Sequence, residues 1–238
     1  MKLWVGTSGY SYKEWKGNFY PADLPDKDML PFYSSKLPAV EINNTFYRMP
    51  TAGVLENWAE QVPPEFRFSI KASQKITHQK RLKDTSDETA YILKTAKVMK
   101  EKLGVILFQL PPYLRKELSR LEDFLKLLGD DVRAAFEFRH ETWFADDVYD
   151  LLKKYSCALC ISETDDEGDT PFAATADWGY LRLRRQNYAE DDLANWVKRI
   201  SAQKWKEAFV FFKHADEGAG PKLAAEFIAL SKKEVNEN

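Results

Sequence analysis

Short runs of apolar residues, rich in Val, Ile, Leu and Phe, recur along the whole chain at nearly even spacing. Runs of this length and composition are typical of buried β-strands. The eight predicted strands are Leu3–Ser8, Ala39–Asn43, Arg67–Lys71, Val105–Leu110, Arg133–Arg139, Cys157–Ile161, Tyr180–Arg184 and Ala208–Lys213. Helical periodicity predicts helices between most of them, at Met29–Leu37, Val54–Gln61, Ser86–Leu103, Leu114–Leu128, Asp146–Tyr155, Ala189–Ala202 and Pro221–Ser231. The acidic connection Ser162–Trp178 shows no clear helical pattern.

This alternation of strands and helices predicts right-handed crossovers and a parallel sheet. Eight strand–helix units in 238 residues come close to the usual length of a barrel of this kind. No linker rich in Gly, Ser or Pro interrupts the pattern, so we predict an α/β fold with one (β/α)8, TIM-barrel-like domain over residues 1–238. A doubly wound open sheet is the alternative, although Gly6-Thr7-Ser8-Gly9 matches neither of its usual phosphate-binding motifs.

The predicted strands alternate in polarity, whereas strands buried on both faces of such a fold are usually apolar throughout. Val40 and Ile42 share one face of their strand, while Glu41 and Asn43 share the other. The same alternation recurs in the strands that contain Lys71, Gln109, Glu137, Arg182 and Lys213. We expect the apolar face to pack under the helices, and the face that turns polar towards its carboxyl end to line the barrel lumen.

The predicted lumen is rich in positive charge. Two carboxylates, Glu41 and Glu137, share it with five cations, which are Lys71, Arg139, Arg182, Arg184 and Lys213. Active sites of this fold lie at the C-terminal mouth of the barrel, where these residues fall. The excess of cations predicts an anionic ligand, exposure to water, or compensation by the acidic loop Asp165-Asp166-Glu167. The alternative is a purely structural network of buried ion pairs.

All three histidines follow predicted strands on the same side of the barrel, at His78, His140 and His214. The catalytic candidates are therefore Glu41 or Glu137 as general base, with His78 and His140 exchanging protons. A metal site that combines histidines with Glu41 or Glu137 stays open, although no His-x-x-x-His spacing supports it. The pattern indicates no particular cofactor.

An aromatic segment containing Tyr10, Tyr12, Trp15, Phe19 and Tyr20 follows the first strand, and Phe46 and Tyr47 follow the second. Such side chains either form a rim that stacks a base or sugar, or plug one end of the barrel. The candidate substrate-binding residues are Tyr10, Trp15, Asn43, Tyr47, Lys71, Gln109, Arg139, Arg182, Arg184, Lys213 and His214.

Composition narrows the functional classes. Hydrophobic residues make up 44% and charged residues 30% of the chain, and the formal net charge is −2, which is typical of a soluble globular protein without a broad basic surface. No apolar stretch has the length of a signal peptide or membrane span, so we expect a cytoplasmic protein with no membrane partner. Cys157 and Cys160 face opposite sides of a predicted strand, so we expect two buried, unlinked thiols.

Several motifs carry a resemblance to a known family. They are Gly6-Thr7-Ser8-Gly9-Tyr10, Glu41-Ile42-Asn43-Asn44-Thr45-Phe46-Tyr47, Thr77-His78, Gln109-Leu110-Pro111-Pro112 and Glu137-Phe138-Arg139-His140 with Trp143. In this order, and over essentially the whole chain, the sequence resembles the domain-of-unknown-function 72 (YecE-like) family. The resemblance implies a TIM-barrel-like fold and brings no established reaction.

The chain departs from the commoner pattern of that family at two strands. Strand seven usually carries Arg-x-His-Gly, where this chain has Arg182-Leu183-Arg184-Arg185, and strand eight usually ends in Asn-Asn, where it has Lys213-His214. Both replacements make the expected mouth more basic than the family pattern.

These observations favour an enzyme with acid–base chemistry of the hydrolase or lyase type, acting on an anionic or phosphorylated small molecule. The alternative is a protein that binds or processes nucleic acid with the basic mouth and the aromatic rim. A glycosidase would use the two carboxylates, but the surplus of cations argues against a neutral sugar. A non-catalytic scaffold fits the apolar face of the strands and leaves the polar lumen unexplained.

Overall fold

The computed structural model describes residues 1–129, 132–165, 170–213 and 218–237. Eight parallel strands form a closed barrel in which each strand pairs with the next and β1 pairs with β8. They are β1 (Lys2–Ser8), β2 (Ala39–Ile42), β3 (Arg67–Lys71), β4 (Leu103–Gln109), β5 (Ala134–Glu137), β6 (Ala158–Glu163), β7 (Trp178–Leu183) and β8 (Glu207–Phe212). The predicted (β/α)8, TIM-barrel-like fold is confirmed.

Seven α-helices surround the barrel in the described part of the chain. They are α1 (Met29–Ser34), α2 (Ala52–Glu60), α3 (Ser86–Ala96), α4 (Leu118–Leu125), α5 (Asp146–Lys154), α6 (Glu190–Ser201) and α7 (Ala219–Glu237). Residues 164–165 and 170–177, the described part of the connection between β6 and β7, contain no helix, as the sequence indicates. Among the described residues, no helix combines the length and the apolar character needed to cross a membrane.

The predicted helix Ser86–Leu103 is wrong in its second half. The α-helix ends at Ala96 and continues as the 3₁₀ segment Lys97–Lys102, in which Lys100 adopts a positive φ of 51°. The chain then enters β4 at Leu103, two residues earlier than predicted, because Gly104 belongs to the barrel wall. A Cβ at Gly104 would lie 2.7 Å from the ring of Phe209, so the close approach of this aromatic side chain requires glycine.

The two faces of the strands separate as the alternation predicts. Phe68, Ile70, Phe108, Phe136 and Leu181 belong to the outer apolar core that packs against the helices. A second buried cluster fills the interior of the barrel: Trp4, Ala39, Val105, Leu107, Ala135, Ala158, Cys160, Trp178, Tyr180, Phe209 and Phe211. The amino-terminal part of the lumen is therefore an aromatic and aliphatic plug, and polar residues follow it along the strands.

The cysteines also take the predicted positions. Both are buried, unlinked thiols, with Cys157 in the outer core and Cys160 in the barrel interior. Burial raises the pKa of Cys157 to about 12, so this thiol stays protonated and unreactive at neutral pH.

Candidate active site at the C-terminal mouth

A charged layer lies directly above the aromatic plug and is centred on Arg182, near the carboxyl end of β7. One guanidinium nitrogen of Arg182 donates to Glu41 Oε1 at 2.8 Å, and another donates to Glu137 Oε2 at 2.5 Å. The two carboxylates come from β2 and β5, so one arginine connects opposite walls of the barrel. Both glutamates are fully buried, and Arg182 is 4% exposed.

Further donors occupy the remaining carboxylate oxygens. Glu41 accepts hydrogen bonds from the side chains of Ser8, Asn43 and Tyr180. Because the Tyr180 hydroxyl donates to Glu41, its contact of 2.6 Å with the Ser69 hydroxyl must have Ser69 as donor. Glu41 is therefore held mainly from other strands, by Ser8 on β1 and by Tyr180 and Arg182 on β7.

Glu137 is held in the same way. Gln109 donates to its Oε1 at 2.8 Å, and Arg184 donates to the same oxygen at 3.1 Å. Burial opposes the charge on this carboxylate, but Arg182, Arg184 and the hydrogen bond from Gln109 lower its pKa to about 2.

Burial likewise opposes the charge on Glu41, and Arg182 with the surrounding donors lowers its pKa below the ordinary range. Buried, saturated carboxylates with lowered pKa values are poor proton acceptors at neutral pH. The geometry of Glu41 and Glu137 therefore suits positioning of Arg182 better than the predicted role of general base.

A cavity of about 550 Å³ opens above this layer at the carboxyl ends of the strands. Seven of the predicted site residues line it: Asn43, Tyr47, Lys71, Arg139, Arg182, Arg184 and Lys213. Ser8, Tyr12, Phe46, Thr164, Asp165 and Gln186 line it as well, and sequence reasoning did not select them as binding residues. Tyr12 and Phe46 were considered only as parts of the aromatic segments. Asp165 and Gln186 lie in loops, and the backbone N–H of Gln186 donates to the Asp165 carboxylate.

Charge is unevenly distributed around the cavity. Five cations line it, against the single carboxylate of Asp165, and the two carboxylates beneath it are Glu41 and Glu137. Five positive and three negative charges leave an excess of two positive charges among the described residues. This surplus holds for the described residues alone, since Asp166 and Glu167 of the acidic loop that could compensate it lie outside them.

Lys71, at the end of β3, is the most unusual cation of the cavity. Its Nζ lies 4.2 Å from the centroid of the Phe46 ring, and among the described residues it has neither a carboxylate within 4.0 Å nor a hydrogen-bond acceptor. Burial and the positive charge of Arg182 lower its pKa to about 8. Arg184 adds to the shift, whereas Glu137 and Glu41 oppose it.

The two described histidines lie near the cavity but do not line it. The ring of His78 packs edge-on against Phe46, 4.9 Å between centroids, and its Nδ1 contacts the Thr77 hydroxyl. Burial, Lys71 and Arg139 lower the pKa of His78, which favours a neutral ring. His140 Nδ1 accepts from the backbone N–H of Thr142 and caps the 3₁₀ turn Glu141–Trp143.

The remaining predicted site residues do not line the cavity or lie outside the described residues. Trp15 is buried in an aromatic cluster with Phe19 and Tyr20, and Tyr10 packs at its edge, where its backbone carbonyl accepts from Tyr20. These side chains pack into the outer apolar core and do not line the cavity. His214 lies outside the described residues. The described residues contain no group of three His, Cys, Asp or Glu side chains that is arranged to hold a metal ion.

Comparison with known proteins places the chain in a family. The family model for "Protein of unknown function DUF72" matches residues 4–238. The chain belongs to this family. Relatives in DUF72 include the UPF0759 protein YunF of Bacillus subtilis, 25% identical over 226 residues, a match that covers 89% of this chain and 78% of YunF. The UPF0759 protein YecE of Escherichia coli is 32% identical over 114 residues, which cover 48% of this chain and 42% of YecE.

Solved DUF72 structures share the architecture. A DUF72 family protein from Thermotoga maritima aligns over 100% of both chains with a TM-score of 0.79 and 23% identity. One from Enterococcus faecalis aligns over 97% of this chain and 95% of its own length, with a TM-score of 0.80 and 18% identity. At these identities the likeness supports the fold alone.

Proposed function

We propose that this DUF72 protein is an enzyme that acts on an anionic or phosphorylated small molecule at the C-terminal mouth of its barrel. One observation carries the proposal, namely a cavity of about 550 Å³ whose lining holds five cations and one carboxylate. A partly desolvated cation without a counter-ion is unfavourable, and a phosphate or carboxylate group restores both charge balance and hydrogen bonds. The cavity also lies where enzymes of this fold bind their substrates.

The charged residues divide into two groups with different roles. Glu41, Glu137 and Arg182 hold one another and form a rigid floor. Lys71, Arg139, Arg184 and Lys213 line the space above this floor and are the proposed anion ligands. Because Arg184 keeps a bond to Glu137, it is fixed in place before any ligand arrives, which lowers the entropy lost on binding.

The proposed chemistry is proton transfer by groups close to the bound anion. Burial and Arg182 lower the pKa of Lys71 to about 8, so its amine can exchange a proton near neutral pH. Burial and the nearby cations lower the pKa of His78, which favours a neutral ring that can accept a proton. This set of groups agrees better with acid–base steps on an anionic substrate than with a glycosidase. A glycosidase needs two carboxyl groups free to reach the scissile bond, whereas Glu41 and Glu137 share Arg182 and have no exposed surface.

An anion titration tests the proposal. An anion at 100 times its dissociation constant adds about 2.7 kcal/mol to the free energy of unfolding, which corresponds to a rise in melting temperature of about 5–11 °C for a chain of this size. We expect phosphate to produce such a rise in the parent protein and a much smaller one in the double variant Arg184→Met, Lys213→Met. Arg182 is spared in this design, because its removal would leave two buried carboxylates without their cation.

The matched control is the double variant Lys2→Met, Arg67→Met, which removes one lysine and one arginine at the opposite end of the barrel, where both lie over the Trp4 ring. Phosphate and sulfate also stabilise proteins by exclusion from their surface, so the difference between the two double variants is the decisive quantity. An equal rise in melting temperature with phosphate in the parent and both variants would contradict the proposal.

A second candidate function is nucleic-acid binding, and Tyr47 favours it. This side chain is 75% exposed at the rim of the cavity, and Phe46 packs edge-on against it. An exposed aromatic ring beside cations can stack on an unpaired base, a contact worth about 1–3 kcal/mol. Titration of a fluorescent single-stranded oligonucleotide at several salt concentrations tests this hypothesis. Binding that weakens steeply with salt and about 5–150-fold in Tyr47→Ala would favour nucleic acid over a small molecule.

A further inference from the structure

Hydrogen bonds from two sides hold the backbone at Lys71. This residue ends β3, and the backbone carbonyl oxygen of Lys71 accepts from the Thr45 hydroxyl at 2.7 Å. The next residue, Ala72, donates its N–H to the carbonyl of Leu107 on β4. A side chain on a strand end that is held from both sides reaches the cavity in a reproducible position, which covalent chemistry requires.

The Lys71 amine differs from the other lysines of the described chain that lie near acids. Lys75 and Lys80 pair with Glu88, and Lys116 pairs with Asp147. Lys71 has two carboxylates nearby in the lumen, but Arg182 and other donors already occupy them. In their place the Lys71 Nζ faces the apolar ring of Phe46.

The charged groups around Lys71 come from every strand that faces it. They are Glu41 on β2, Glu137 on β5, Arg182 on β7, Arg139 and Arg184 just after β5 and β7, Asp165 after β6, Lys213 just after β8, and His78 in the π-helical turn Lys75–Gln79. A second cation beside a lysine, combined with partial burial, favours the uncharged amine, which is the nucleophilic form. Burial and Arg182 lower the pKa of Lys71 to about 8, in agreement with this arrangement.

We infer that Lys71 is a covalent catalyst whose uncharged amine forms an imine with the carbonyl carbon of a small anionic aldehyde or ketone. This inference rests on the proposed function and names its substrate class, with the anionic group held by Arg139, Arg184 and Lys213. The Nζ lone pair forms the C–N bond while the carbonyl π electrons move to oxygen, which takes up a proton as nitrogen loses one. The hydroxyl of this carbinolamine then leaves as water with a proton from solvent, and the nitrogen lone pair closes the C=N bond.

Reductive trapping tests the inference. The protein is treated with pyridoxal 5′-phosphate, an aldehyde that carries a phosphate, or with pyridoxal, which lacks it, and sodium borohydride then reduces any C=N bond to a stable secondary amine. Peptide mass spectrometry locates the modified lysines. Lys2 serves as internal reference, since its ammonium also lies over an aromatic ring, 4.1 Å from the Trp4 centroid, but at the opposite end of the barrel.

We expect Lys71 to be modified at least tenfold faster than Lys2 by pyridoxal 5′-phosphate. Because pyridoxal closes to a less reactive internal hemiacetal, the Lys71-to-Lys2 rate ratio is compared, and it should be at least tenfold higher with the phosphate than with pyridoxal. Excess inorganic phosphate should protect Lys71 and leave Lys2 unaffected, and the rate at Lys71 should rise with a midpoint near pH 8. The variant Lys71→Met should lose this adduct while the melting temperature shows that it remains folded.

The outcomes separate this inference from the proposed function. If phosphate stabilises the parent as described above but Lys71 reacts no faster than Lys2, the covalent role is overturned and the anion site stands. Equal Lys71-to-Lys2 rate ratios with pyridoxal and its phosphate, without protection by phosphate, would overturn the anionic substrate class. If phosphate neither stabilises the protein nor protects Lys71, the proposed function and the inference both fall.

Discussion

The two ends of the barrel interior both carry positive charges, but they stabilise them differently. At the amino-terminal end, Lys2 and Arg67 lie over the Trp4 ring, and Glu207 pairs with Arg133 and accepts from the Trp4 indole N–H. Lys2 is exposed there and remains hydrated. At the C-terminal mouth, Lys71 is partly buried and has no acidic partner among the described residues.

This difference separates structural charge from functional charge. The cations at the amino-terminal end are solvated or paired, so their charges are stable without a ligand. At the mouth, the pairs between Arg182 and the two glutamates are structural, whereas Lys71 above them has no acidic partner among the described residues. Natural proteins tolerate such unfavourable groups mainly at sites where a ligand later stabilises them. The following predictions measure how far the two ends differ.

The largest effect is expected for Arg182→Met, which removes the cation between Glu41 and Glu137. Breaking a buried ion pair by deleting one partner costs about 3–5 kcal/mol, because the remaining charge is buried without compensation. The free energy of unfolding from urea titration measures the loss. Arg67→Met is the control at the other end, and it should cost about 1 kcal/mol or less. A loss below 1 kcal/mol for Arg182→Met would mean that the network does not support the barrel.

The next prediction concerns acid. Because Arg182 and Arg184 lower the pKa of Glu137 to about 2, the folded state holds this carboxylate charged at a pH where the unfolded chain binds a proton. Its stabilisation is complete above pH 4.5 and is lost as pH falls towards 2, an effect of about 3 kcal/mol. Glu41 acts in the same direction.

The measurement compares the parent with Glu137→Gln at a series of pH values, since other acids also titrate in this range. The difference in free energy of unfolding between the two proteins should shrink between pH 4.5 and pH 2. A difference that stays constant over this range would show that Glu137 does not titrate as its surroundings require.

A smaller effect is expected at Tyr180, where the hydroxyl group connects Ser69 to Glu41. Tyr180→Phe leaves Glu41 Oε2 with one donor fewer and should cost about 1–3 kcal/mol. The control is Tyr91→Phe, because the exposed Tyr91 makes one long hydrogen bond to the carbonyl of Pro50. Similar unfolding free energies for both variants would contradict a cooperative network in the lumen.

The sequence predicted the architecture and the composition of the mouth because both depend on simple periodicities. Alternation along β2, β5 and β7 was enough to put Glu41, Glu137 and Arg182 in the same lumen. It could not show that Arg182 reaches both carboxylates, since that depends on strand register and on the separation of opposite walls. The sequence therefore presented an anion site and a buried ion-pair network as alternatives, whereas the described residues contain the network and a basic cavity above it.

The other differences have local causes. Trp15 and Tyr10 follow β1 in the chain as rim residues would. Their packing against Phe19, Tyr20 and Tyr33 instead places them in the outer apolar core. The helix predicted through Lys100 carries good helical residues up to Leu103. It ends at Ala96, and Lys100 takes a positive φ before the chain enters β4, where the close approach of Phe209 requires Gly104.

The smallest expected effect has the opposite sign and bears directly on the comparison of the two ends. Lys71→Met removes a charge that burial and Arg182 disfavour, and the methionine keeps most of the packing against Phe46. A fall in pKa from 10.5 to about 8 corresponds at most to about 3 kcal/mol of destabilisation at neutral pH. The lost cation–π contact offsets about 0.5–1 kcal/mol, and partial solvation reduces the rest, so a gain on the order of 1 kcal/mol is expected.

The gain should also depend on pH in a way that identifies its cause. Between pH 8 and 10.5 the unfolded chain keeps the Lys71 proton that the folded protein has lost, so in the parent this group makes stability rise with pH. The advantage of Lys71→Met should therefore be largest at pH 7 and smaller at pH 9.5. Tyrosines begin to ionise near this pH in the parent and the variant alike, so the difference between the two proteins still reports Lys71. Lys2→Met should show no gain at either pH, since Lys2 is exposed and keeps its hydration. If Lys71→Met instead destabilises the protein at pH 7, Lys71 has a structural partner. The charges at the mouth would then be structural, like those at the amino-terminal end, and the distinction between the two ends would be wrong.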